Sequence, residues 1–267
     1  MHYYPILSTP YAVGKTTVFN FPTRNIPRRY QNPVIIYLVW SNGFEWFFKR
    51  LDSVTYGCHF SLDYITAASI INDDFQPFLH ISPCELPPTS TSLPSSSPNF
   101  IQADVTWRAT ISLKSLFSDN TASYQGEIPI FRSGSSCLSF SSLTQNSPDV
   151  HNDLFFVNLQ SLPFFDKHNL IIFDLLNPTV PLDTIVVYNN TCNFIKLDQY
   201  MVDPELLFGI SCTSMSGVPL FISHQDSTSR LTMEHTHPPA SLFIHGNRFY
   251  AQKQVKESWE LFTSNFK

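Results

Sequence analysis

The sequence predicts an all-β protein, and three features carry that expectation. The chain is rich in residues that fill pleated, half-buried surfaces: 24 Phe and 11 Tyr in 267 residues, with 43% hydrophobic residues in all. Its apolar runs are short and bounded by Pro, Gly, Asn or Ser, the punctuation of strands and turns. Twenty prolines against eight glycines mark many rigid connections and few turns that need positive φ. A chain of this length can bury a large core, as one all-β domain or as two smaller ones.

Residues 1–33 read as irregular and Pro-punctuated, with Pro5, Pro10, Pro22, Pro27 and Pro33. Gly14-Lys15-Thr16-Thr17 matches the end of a phosphate-binding loop, but the position five before Gly14 holds Thr9 where that loop needs glycine. Arg24, Arg28 and Arg29 read as solvated surface. Pro33 to Trp40 is a buried strand, Ser41-Asn42-Gly43 a turn, and Phe44 to Phe48 the returning strand. Gly57 to Ala68 follows as strand and return, with a short helical turn at 69–72, then a strand from Phe75 to Ile81. Residues 82–99 are a Ser/Pro-rich run that cannot bury a core of its own, so an exposed, mobile loop is expected there. Val105 to Leu113 alternates as a strand.

Further on, Ile128-Pro129-Ile130-Phe131 is extended and Cys137 to Leu143 extends again. Asn152 to Leu159 is a strand, expected to close a first domain at about residue 160. Asn169 to Leu176 reads as strand or helix, Asp183 to Tyr188 and Asn193 to Leu197 as strands. Leu220 to Ser223 and Ala240 to Gly246 follow as strands. From Arg248 to Phe266, Tyr250, Val255, Trp259 and Phe262 are compatible with a terminal amphipathic helix.

Three short segments carry a functional signal. Ile210-Ser211-Cys212-Thr213-Ser214-Met215-Ser216-Gly217-Val218-Pro219-Leu220-Phe221 places a serine on a tight turn before Gly-x-Pro and an apolar strand. Such a turn projects the hydroxyl and lets backbone N–H groups face a developing oxyanion. Tyr64-Ile65-Thr66-Ala67-Ala68-Ser69 and Asn152-Asp153-Leu154-Phe155-Phe156-Val157-Asn158-Leu159 precede it. In this order the segments resemble the His, Asp and Ser segments of trypsin-like serine proteases. The histidine position of the Thr-Ala-Ala-His pattern holds Ser69. The resemblance implies a double β-barrel with a C-terminal helix. Residues 1–160 would form an N-terminal extension and first barrel, 82–99 its loop, and 161–267 the second barrel and helix. It also implies vestigial triad positions at Ser69, Asp153 and Ser216, oxyanion donors at Ser214 and Ser216, and a substrate cleft lined by Phe243, Ile244, His245 and Gly246. Ser69 and Asp153 would come from the first barrel and Ser216 from the second.

Ser69 decides what such a site can do. A serine nucleophile needs a base in hydrogen-bond reach with a pKa near working pH, and a hydroxyl is none. Loss of a triad member removes several orders of magnitude in rate. Ser214 stands where the family usually has glycine, and Met215 where secreted members have an aspartate that pairs with a freed N-terminus. The reading is a catalytically inactive pseudoprotease that binds or scaffolds protein partners or peptides. One alternative is an active intracellular serine endopeptidase with a relocated base such as His59 or His80. Another is a metal-binding β-protein using Glu234, His235 and His237, with His224 and His245 nearby in sequence. The preferred reading needs no cofactor and no metal.

Charge and cysteine content limit the rest. A formal net charge of −5 offers no footprint for nucleic acid. No apolar run is long enough for a membrane-spanning helix. Five cysteines, an odd number, and an N-terminus without a basic region and apolar run point to an intracellular, non-secreted protein. Asn189-Asn190-Thr191 fits a glycosylation sequon that such a protein would not use.

Overall fold

The computed structural model describes residues 2–20, 33–71, 76–94, 107–131, 134–139, 147–174, 177–200 and 208–235. The Arg24 and Arg28-Arg29 cluster, the Phe243–Gly246 cleft and the terminal helix lie outside them. The described chain is mostly β, as expected, and its strands pair antiparallel. It divides into two units. The first comprises Met1–Ile130, Leu159–Phe165 and Asn190–Cys192; the second comprises Phe131–Asn158, Asp166–Asn189 and Asn193–Lys267. The chain thus passes between units several times, where the sequence suggested one break near residue 160.

The first unit holds β1 (His2–Pro5), β2 (Ala12–Asn20), β3 (Val34–Ser41), β4 (Trp46–Val54) and β5 (His59–Asp63). It continues with α1 (Tyr64–Ile71), β6 (Phe78–Ser82), β7 (Thr89–Ser90), β8 (Trp107–Ser115) and β9 (Thr121–Tyr124). These strands make two open sheets in the orders β1-β6-β3-β4-β7 and β5-β2-β8-β9. The N-terminal segment is therefore not irregular. Pro5 ends β1 and Pro10 falls between strands, so neither breaks a ladder, and β2 alternates buried with less buried residues. Gly14 lies inside β2, not in a phosphate loop. A Cβ there would stand 1.9 Å from the Leu7 carbonyl oxygen, so close backbone approach explains the glycine.

The Ser/Pro-rich run also differs from the expected mobile loop as far as residue 94. Thr89 and Ser90 pair with Phe47 and Trp46, the Phe48 N–H donates to Pro88, and Leu93 is buried. Proline suits this place, because an edge strand needs inward hydrogen bonds only. The helix begins earlier than expected, at Tyr64. Asp63 caps it: its Oδ1 accepts the Thr66 N–H at 2.7 Å.

The second unit holds β10 (Ser136–Ser139), β11 (Val150–Asn158), β12 (Lys167–Asp174), β13 (Asn177–Tyr188) and β14 (Thr191–Lys196). A 3-10 turn (Asp198–Tyr200) precedes β15 (Phe208–Cys212), β16 (Val218–Gln225) and β17 (Arg230–His235). Its sheets run β10-β15-β12-β13 and β14-β11-β16-β17. They share one core. Leu154, Phe156, Ile195 and Phe221 from one sheet pack with Leu170, Ile172, Val187 and Ile210 from the other. Burying such a side chain contributes roughly 1.5–3 kcal/mol. Asn169–Leu176, readable as strand or helix, is strand β12 as far as Asp174.

Candidate functional site

Ser69 lies exposed on α1, in the first unit. Its hydroxyl donates to the Thr66 carbonyl at 2.8 Å, a back-bond within the helix turn. His59 is exposed on β5 with its ring near Phe19, and His80 is buried on β6, stacked on Tyr3 with centroids 4.3 Å apart.

Asp153 and Ser216 lie together in the second unit, where the resemblance had assigned them to different barrels. Asp153 sits on β11 opposite Ile222 of β16, the strand that follows the Ser216 turn. Leu154 and Phe156 face the shared core, so Asp153 faces the other way along the pleat. It is nonetheless buried, and neither carboxylate oxygen has a hydrogen-bond partner. Burial, reinforced by the nearby Asp198 charge, pushes its pKa up to about 7.

The Ser216 turn is held by neutral groups. The Ser216 hydroxyl donates to the Ser135 carbonyl at 3.1 Å. The Ser216 carbonyl accepts from Asn158 Nδ2 at 2.5 Å, and the Gly217 N–H donates to Ser136 Oγ at 3.0 Å. Gly217 is required here: an added Cβ would stand 2.6 Å from Cζ of the buried Phe156 ring.

One residue earlier in the turn, the N–H groups of Ser214 and Met215 and the Ser214 hydroxyl are hydrogen-bonded to the buried Cys212 thiol. The Ser214 N–H, expected to face an oxyanion, faces sulfur instead. Burial still raises the Cys212 pKa, so the thiol stays protonated at neutral pH. His168 Nδ1 lies 2.9 Å from Ser214 Oγ. His168 Nε2 is buried without a hydrogen-bond partner. A bare lone pair is tolerated there better than a stranded N–H. With the proton on Nδ1, His168 donates to Ser214, which leaves the Ser214 hydroxyl to donate to Cys212. In this arrangement His168 gives a hydrogen bond to the serine and does not take its proton.

A second group of polar residues gathers at the far end of β11. His151 Nδ1 lies 2.9 Å from Asp198 Oδ2, and Nε2 lies 3.0 Å from Asp226 Oδ2. Asp198 Oδ1 accepts the Asn152 N–H at 2.7 Å. His224, opposite His151 in register, stacks on it with centroids 6.4 Å apart and approaches Asp226 Oδ1 at 3.4 Å. The hydrogen bond to Asp198, more than any other contact, raises the His151 pKa, whereas burial lowers that of His224. Asp149 accepts from Ser147, Ser227 and Gln225, which bring its pKa down to about 2.

Sequence reading missed this cluster. His151 stands one residue before the Asn152–Leu159 segment and was not singled out, and His224 was considered only as a metal ligand. Asp198 and Asp226 carry no motif; strand register alone brings them to His151. Among the described residues no group of three His, Cys, Asp or Glu is arranged to hold a metal. The Glu234–His237 proposal is only partly visible, because the His235 side chain and residue 237 are outside the description. No family model, curated protein or solved structure matches the chain.

Proposed function

We propose that this chain is a catalytically inactive relative of trypsin-like serine proteases, derived from their double β-barrel, and that it works inside the cell as a protein-binding or scaffolding subunit. The observation that carries the reading is the direction of the Ser216 hydroxyl. An active serine gives its proton to a base; Ser216 donates to the Ser135 backbone carbonyl. Asp153 agrees with it. In an active triad the aspartate accepts a hydrogen bond from the catalytic imidazole, and here both oxygens are buried without one.

The binding half of the proposal is supported by an apolar segment in the first unit. Leu162, Phe164 and Phe165 are exposed, as is Phe44 in the turn beside them, where Phe165 approaches Gly43. The backbone under these side chains is fixed. Trp46 Nε1 and the Leu93 N–H donate to the Ser161 carbonyl. Asn190 Nδ2 donates to Leu162 and Phe164 at 2.8 Å each, and Ser41 Oγ donates to Pro163. A preorganised apolar segment loses little entropy on association, which favours a protein partner.

The test is labelling with a fluorophosphonate probe. The expected result is no covalent adduct. Stoichiometric labelling that disappears in S216A or in S214A would overturn the reading and favour an active hydrolase with a relocated base.

A further inference from the structure

We infer that His151 is a protonation-controlled latch that ties the β16–β17 hairpin turn to β11 and to the Asp198 turn. The geometry sets the requirement. Both ring nitrogens face carboxylate oxygens, at 2.9 and 3.0 Å. A neutral imidazole has one N–H and can donate to only one of them; the imidazolium donates to both. The charged ring therefore bridges three segments of the second unit, and loss of its proton breaks one of the two contacts.

The contact that breaks is the one to Asp226. Asp198 stays in place because its other oxygen holds the Asn152 N–H, and the neighbouring Leu197 N–H donates to the Asn152 carbonyl. Asp226 is exposed in the hairpin turn, where Ser229 holds a positive φ of 50°. Ties that do not depend on the His151 proton limit the opening. The Asp226 N–H still donates to the Asp149 carbonyl, and Asp149 still accepts from Gln225 and Ser227. Release thus loosens the turn without detaching the hairpin.

The charges around His151 favour the closed state. Asp149 belongs to the approach to its strand and Asp198 to the 3-10 turn, while Asp153, on its own strand, stays largely protonated below about pH 7. Asp226 belongs to the hairpin, and His224 to β16, where burial keeps it neutral. Lys196, on β14, and Arg230, opposite Gln225 on β17, are the opposing cations. The His151 pKa is raised above 6.5. The latch is therefore mostly closed at pH 6.5 and opens as pH rises through the higher, folded-state value.

Two measurements on the full chain test this. Long-range 1H–15N spectra of the histidine side chains should show His151 protonated on both nitrogens at pH 6.5, and His224 as a neutral tautomer. Amide exchange of residues 226–229, corrected for intrinsic rates, should quicken severalfold as His151 titrates. In D226N that step should be absent. A neutral His151 at pH 6.5, a pH-independent hairpin, or the same step in D226N would each overturn the latch.

Discussion

The Ser216 turn and the charged end of β11 belong to the same unit but hold their polar groups by different means. At the turn, Ser216, Gly217 and Asn158 meet carbonyls and a hydroxyl. At the end of β11, His151 meets two carboxylates, and a third, Asp153, is buried beside them without a hydrogen bond. Neutral hydrogen bonds contribute about the same at every working pH, whereas charged and half-desolvated groups change with it. The hydrogen bonds of Ser216 and Gly217 are thus neutral, and the pH-responsive groups gather at the start of β11, where Asp153 carries a motif and His151 does not.

The largest expected effect comes from Asp153. Its folded pKa, about 7, lies above the ordinary carboxylate value of 3.8. Below pH 3.8 the folded and unfolded chains are both protonated and Asp153 costs nothing. As pH rises to about 7 the unfolded chain ionises freely while the folded one must hold a proton. The cost grows across that window and then levels, at no more than about 4 kcal/mol. D153N removes it. Chemical denaturation at several pH values should show D153N gaining on the parent from pH 4 to pH 7. An advantage that is flat with pH would place Asp153 with the neutral groups and erase the contrast between the two regions.

A smaller effect is expected at the turn itself. G217A drives a methyl group into the Phe156 ring, which is fully buried in the core. Overpacking of this kind costs about 1–3 kcal/mol. F156L in the same chain makes room, so the double variant should lose less than the sum of the two single losses. Strict additivity would mean that the glycine is there for a reason other than the ring.

The strands were legible wherever burial imposes a period. Val34–Ser41 and Val218–Gln225 are apolar runs bounded by turn residues, and they form β3 and β16. The N-terminal strands were not, because Pro5 and Pro10 read as breakers although they fall at strand limits. The helix start at Tyr64 was missed because the cap, Asp63, ends a strand-like run. At the candidate site, the Ser216 turn was legible as a turn, since Gly and Pro fix backbone shape locally. What the Ser216 proton does was not, because Ser135 is brought to it by packing across 81 positions of sequence. His151 and its carboxylates were invisible for the same reason: their meeting depends on the register of β11 against β16 and on the turn after β14.

The smallest expected effect is at Ser216. The turn is held from two sides that the side chain does not supply: Asn158 binds the Ser216 carbonyl and Ser136 binds the Gly217 N–H. S216A keeps both and removes only the hydroxyl bond to Ser135. One neutral hydrogen bond contributes about 0.5–1.5 kcal/mol, and Ser216 is only half-buried, so water can take the vacated place. Stability should fall by less than about 1 kcal/mol and should not change its dependence on pH. N158A, which strands the Ser216 carbonyl, should cost more. Binding of a protein partner should be the same for S216A and the parent, because a hydroxyl aimed at its own backbone offers nothing to a ligand. Should S216A keep its stability yet lose function in cells, the hydroxyl must leave Ser135 and act, and the turn would belong with the reactive region instead of the inert one.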